Sequence, residues 1–127
     1  MGRSEGAVTR FAGTVVLALL VAAPACAAEV AMKGPEILAA LKGAHVQGDT
    51  WSQEFDDGGA TTYTRDGRHQ EGRWDVRGDQ YCSLWPPSDA WACYDMTINS
   101  SDPAHEQVTW ISANGHRNPA HLIRKGQ

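Results

Sequence analysis

From Ala44 onward the chain repeats one pattern: short runs in which apolar and polar residues alternate, each ended by residues that turn a backbone. Trp51, Gln53 and Phe55 alternate with Ser52 and Glu54, and Asp56-Asp57-Gly58-Gly59 then turns the chain into Thr61 to Arg65. Asp66-Gly67 turns it again into a segment ending Trp74-Asp75-Val76-Arg77, and Gly78-Asp79 reads as a two-residue hairpin loop. Gln80 to Trp85 and Ala90 to Ile98 follow. After a polar stretch, Asn99 to His105, come Gln107 to Ser112, Asn114-Gly115 and a last apolar group, His121-Leu122-Ile123. Side chains on a strand point to alternate faces, so a period of two buries one face and wets the other. The pattern predicts a mainly β domain of seven to eight short antiparallel strands. Such a meander closes into a small barrel or folds into a sandwich, because open edges promote aggregation. One short helix is expected before it, in GPEILAALKG: Pro35 and Glu36 suit the first turn, Ile37, Leu38 and Leu41 share a face, and Gly43 fits just past the end. Two turns of helix are not stable alone, so this element must pack on something.

The first 27 residues carry a different signal. Arg3 and Arg10 precede an unbroken apolar or small-residue run from Phe11 to Ala23, and Ala25-Cys26-Ala27 offers small residues at a cleavage site. Residues 1–27 are therefore expected to be a secretory signal peptide, and 28–127 a single β domain in the periplasm or outside the cell. The run is too short for a transmembrane anchor, which takes about 18 or more apolar residues. A mature chain beginning at Ala28 has 100 residues with 9 basic and 14 acidic side chains, a net charge of −5. Nucleic acid and anionic lipid are disfavoured as partners. Cys26 could be lipidated, but Ala23-Pro24-Ala25 lacks the large aliphatic residue expected before such a cysteine. On either processing route Cys82 and Cys93 remain, and an even pair in an oxidising compartment reads as one disulfide. Zinc would need a second ligand pair, and a redox couple favours two intervening residues rather than ten.

The register of this pair can be worked out. If Cys82 lies opposite Cys93, then Tyr81 faces Tyr94, Leu84 faces Trp91 and Trp85 faces Ala90, with Pro86 to Asp89 as the loop. Directly opposed Cα atoms in an antiparallel pair lie about 4.5 to 5.5 Å apart, within reach of a disulfide. With Gly78-Asp79 as the preceding loop, Trp74, Val76, Tyr81, Trp85, Tyr94, Met96 and Ile98 share one face, the expected core. Leu84, Trp91 and the disulfide then point outward. They call for a cover, either the apolar face of the helix or Leu122 and Ile123, or else for a partner surface.

Chemistry-bearing patterns are weak. Among five histidines only His116 and His121 are close, at a spacing that fits neither helix nor strand pairing, with Pro119 between them. No metal or haem site is expected. Asp56, Asp57, Asp66, Asp79 and Asp89 fall at turns, where aspartate caps backbone. No nucleophile elbow, zinc-protease motif or phosphate loop occurs. Arg77-Gly78-Asp79 spells an adhesion tripeptide that a tight hairpin already explains, and Asn99-Ser100-Ser101 is a sequon with meaning only in a eukaryotic secretory pathway.

Leu41-Lys42-Gly43 at the end of the helix, Tyr63 followed by Asp66-Gly67, Gly72-Arg73-Trp74-Asp75-Val76, Tyr81-Cys82 and Ala92-Cys93-Tyr94 together resemble a family of small exported proteobacterial proteins built on a domain of unknown function. The resemblance spans about residues 35 to 96. It implies an exported, lipocalin-like β fold and carries over no activity, cofactor or functional residue. The expectation is a non-catalytic binding protein for a small apolar ligand or a protein partner. Candidate barrel-lining residues are Trp51, Phe55, Trp74, Tyr94 and Trp110. Leu84, Trp85, Pro86, Pro87, Ser88, Asp89 and Trp91 form a candidate binding rim. The alternative is an inhibitor of an extracellular or periplasmic hydrolase acting through the 85–91 loop, stiffened so that little entropy is lost on docking.

Overall fold

The computed structural model describes residues 2, 13–18, 28–100 and 104–125. Most of the expected signal peptide, with Cys26, lies outside the described residues. Nine strands and one helix follow in the order β1 (Glu29–Ala31), α1 (Gly34–Leu41), β2 (His45–Gln47), β3 (Trp51–Phe55), β4 (Ala60–Arg65), β5 (Arg68–Arg77), β6 (Gln80–Leu84), β7 (Ala92–Ser100), β8 (Glu106–Ile111) and β9 (Arg117–Ile123). From β2 to β9 each strand pairs antiparallel with the next, and β2 pairs with β9 to close an eight-stranded up-and-down barrel. No edge remains in this ring. β1, which the periodicity did not reveal, pairs with Thr97 to Asn99 on β7, next to the stretch that β6 occupies. Glu29 anchors it through the Thr97 hydroxyl and an ion pair with Arg117, contacts that hold its carboxyl below the ordinary carboxylate range.

Three seams of the ring are short: β2–β3, β2–β9 and β6–β7 have three residue pairs each. The disulfide lies in the middle of the last, with Cys82 opposite Cys93 at a Cα separation of 4.0 Å, flanked by Tyr81 opposite Tyr94 and Ser83 opposite Ala92. Val76 opposes Tyr81 and Trp74 opposes Ser83, so the face worked out from the turns is the barrel interior. The ladder stops at Ser83 and Ala92, so Leu84–Trp91 and Trp85–Ala90 do not pair and the loop runs from 85 to 91. Proline has no N–H to give a ladder, and Pro86-Pro87 ends it. Pro119 is tolerated in β9 because β2 pairs only with residues 121–123 and leaves that side of the strand unused.

The helix does not cover the outer face. It closes one end of the barrel, where Ile37, Ala40 and Leu41 are fully buried against Phe55, Trp74, Tyr81, Met96 and Leu122. Leu122 joins this core and Ile123 stays exposed, so neither covers Trp91, which lies instead under the Arg77 guanidinium at 4.3 Å. The helix begins after Lys33, which offers no side-chain acceptor, and the missing N-cap is supplied from 45 residues away: Asp79 Oδ1 accepts the Gly34 N–H at 2.8 Å. Gly34 itself is needed for contact, since a Cβ there would sit 2.1 Å from the Gly78 carbonyl oxygen. Phe55 is the hub above the helix, with its ring edge-on to Trp74 at 5.5 Å and Tyr81 at 5.9 Å and stacked with Trp110 at 6.3 Å. Such ring pairs each contribute about 0.5 to 1.5 kcal/mol beyond area burial.

Candidate functional site

An eight-stranded barrel is wide enough either to be filled by its own side chains or to hold one small ligand. This one does both, at different levels. The interior of the end nearest the helix and the β3–β4 and β5–β6 turns is filled by the buried cluster of Ile37, Leu41, Phe55, Trp74 and Met96. The opposite end, below the β4–β5 turn and the 85–91 loop, holds a cup of about 370 Å³. Its walls come from the inward positions of seven strands: Trp51 and Gln53 on β3, Tyr63 and Arg65 on β4, Gln70 on β5, Tyr81 and Ser83 on β6, Tyr94 on β7, and Trp110 and Asn118 on β8 and β9. Trp85 completes the wall from the first residue of the loop.

Trp85 reaches the cup because of a glycine. Gly72 faces inward on β5, opposite Thr61, and the indole of Trp85 lies directly over it. A Cβ at Gly72 would fall 2.6 Å from both the Trp85 ring and the Leu84 carbonyl oxygen. The indole N–H then donates to Ser83 Oγ at 3.2 Å, and the ring meets Tyr63 edge-on at 6.1 Å. On the other side Trp51 stacks with Tyr63 at 5.6 Å and meets Trp110 edge-on at 6.2 Å. The aromatic walls hold one another in place.

A polar chain runs along the floor. Gln53, only 8% exposed, donates from Nε2 to Thr61 Oγ1 at 2.9 Å and to the Tyr81 hydroxyl at 3.1 Å, while Thr61 Oγ1 donates to the Glu54 carbonyl oxygen at 2.7 Å. Burial pushes the Tyr81 phenol far above the ordinary tyrosine value, so the floor is a neutral hydroxyl. Among the described residues of the lining Arg65 alone carries a formal charge, and its guanidinium donates to Thr50 Oγ1 at 3.3 Å. Those residues include no carboxylate, imidazole or thiol. Among the described residues no three His, Cys, Asp or Glu side chains gather as a metal site would require. The cup can stack flat groups and donate hydrogen bonds.

Comparison with family models, curated proteins and solved structures finds no match.

The two candidate sites from the sequence thus share one place. Trp51, Tyr94 and Trp110 line the cup. Phe55 and Trp74 do not; they lie one level deeper, in the closed core, where the Trp74 indole N–H donates to the Asp56 carbonyl oxygen at 3.1 Å. Their inward direction was readable from the alternation, but their depth depends on which end the helix plugs. Of the rim, Trp85 turns into the cup, Leu84 and Trp91 are half-buried, and Pro86 to Asp89 remain exposed at the tip. Gln53, Tyr63, Arg65, Gln70, Ser83 and Asn118 were missed as lining residues. The same period-two count that turned Trp51 inward reaches Gln53, and the β4–β5 pairing carries it to Tyr63, Arg65 and Gln70.

Proposed function

We propose that this chain is an exported, non-catalytic binding protein that holds one small molecule in the open end of its barrel. The observation that carries the reading is the aromatic cup of about 370 Å³ standing on a filled, crosslinked base. Ligand sites are concave, mostly apolar with a few placed polar groups, and about 300 to 1,000 Å³ in volume. A wall already fixed by ring contacts loses little conformational freedom on binding. Export is supported by the apolar N-terminal run and by the disulfide, which persists in oxidising compartments. The resemblance to lipocalin-like exported proteins points the same way. No helix among the described residues is long and apolar enough to cross a membrane.

The test is a titration of the purified mature chain with a panel of small aromatic and aliphatic compounds, read by intrinsic tryptophan fluorescence. Saturable one-to-one quenching that weakens in Trp85→Ala is expected. The absence of saturable binding across the panel would remove the reading. A second reading, inhibition of an extracellular hydrolase, draws on the exposed Pro86 to Ala90 tip rooted in the disulfide. It is weakened because the two large side chains of the loop, Trp85 and Trp91, are engaged by the chain's own residues.

A further inference from the structure

We propose that the cup selects a small planar aromatic carboxylate, with its ring against the indole walls and its carboxylate at Arg65. This deepens the ligand-binding reading above and rests on it. The walls give the first argument: Trp51, Tyr63, Trp85 and Trp110 line the cup and hold one another in stacked and edge-on contacts, which suits a flat ring.

Charge gives the second, independent argument. The protein is acidic, with a formal net charge of −4, yet among the described residues the only charged one lining the cup is an arginine. Among the described residues Arg65 forms no ion pair, and Arg68 stands directly opposite it on the β4–β5 hairpin. Two guanidinium groups at the same end of the barrel raise the local potential for an anion, and a guanidinium matches a carboxylate in a two-pronged contact. An ammonium ligand would find aromatic faces, which attract cations, but no carboxylate to pair with and an arginine that repels it. The filled lower half, with Phe55, Trp74 and Ile37, leaves no room for a long acyl chain. A ligand of one or two fused rings suits a cup of about 370 Å³.

The experiment is isothermal titration of the mature chain with 2-naphthoate, its carboxamide and a naphthylmethyl-trimethylammonium ion. The carboxylate should bind about tenfold more tightly than the carboxamide, as a charge-assisted hydrogen bond allows, and Arg65→Gln should erase that gap. Carboxamide or ammonium binding as tight as the carboxylate, with Arg65→Gln neutral, would overturn the proposal while leaving the cup as a ligand site. Failure of every probe to bind would remove the proposal together with the ligand-binding reading. Arg65 is exposed at the end of the β4–β5 hairpin, so its variant leaves the buried core intact.

Discussion

Replacing both Cys82 and Cys93 with alanine tests how much the barrel depends on its staple. The crosslink closes a loop of sequence separation 11, for which the chain-entropy relation gives about 9 cal/mol/K, or about 3 kcal/mol near room temperature. Cys82 is fully buried, so trimming it adds a packing loss of about 1 kcal/mol. The effect should be concentrated because the β6–β7 seam has only three residue pairs, with the disulfide as the middle one. A native stability of about 5 to 15 kcal/mol survives such a loss with a smaller margin. For a domain of this size the total of about 4 kcal/mol corresponds to a fall in Tm of about 16 to 32 °C. The assay is urea unfolding followed by tryptophan fluorescence, comparing the wild type, the double variant and the wild type under reductant. The midpoint should fall while the slope, which tracks the surface exposed on unfolding, stays close to that of the wild type. A loss below about 1 kcal/mol in both the variant and the reduced protein would refute the reasoning, because the seam would then hold without its crosslink.

Asp79→Ala removes the acceptor at the helix N-terminus and should cost about 1 kcal/mol, with Asp79→Asn retaining most of it; equal melting temperatures for all three proteins would show that the cap is not used. Gly72→Ala places a Cβ 2.6 Å from the Trp85 ring, so it should push the indole out of the cup, cost about 1 to 3 kcal/mol and shift the emission spectrum to the red. Unchanged emission and stability would refute that close approach. Tyr81→Phe removes the acceptor of Gln53 Nε2 and should be about 1 kcal/mol less stable than the wild type near pH 8. The folded phenol is held above its ordinary value of 10.0, so the unfolded chain releases its proton first as pH rises. Wild-type stability therefore falls above about pH 10, and the advantage over Tyr81→Phe should shrink by up to about 1.4 kcal/mol per pH unit there. A gap that stays constant to pH 11 in equilibrium unfolding would contradict the buried neutral phenol.

Much of the fold was legible in the order of residues because strand parity and tight turns are local. Once Gly78-Asp79 was placed as a two-residue loop, every side chain of β5 and β6 had its face assigned, and the cysteine pair carried the assignment to β7. β1 was not legible: three exposed residues have no buried face to set a period. The helix was read correctly as an element, but its role as one possible outer cover was not met, since its apolar stripe states only that something is buried, and Ile37 and Leu41 suit a plug as well as a lid.

Alternation, turn residues and two cysteines by themselves determined a stapled antiparallel β domain and the inward face of β5, β6 and β7. Only the tertiary structure decided that the ring closes through β2 and β9, that the helix fills one end, and that Phe55 and Trp74 lie in that end while Trp51, Tyr94 and Trp110 surround an opening. The physical reason is range. Which way a side chain points is set by its own strand within a few residues, whereas the depth at which it lies depends on contacts between elements distant in sequence: Asp79 with Gly34, and Trp85 with Gly72.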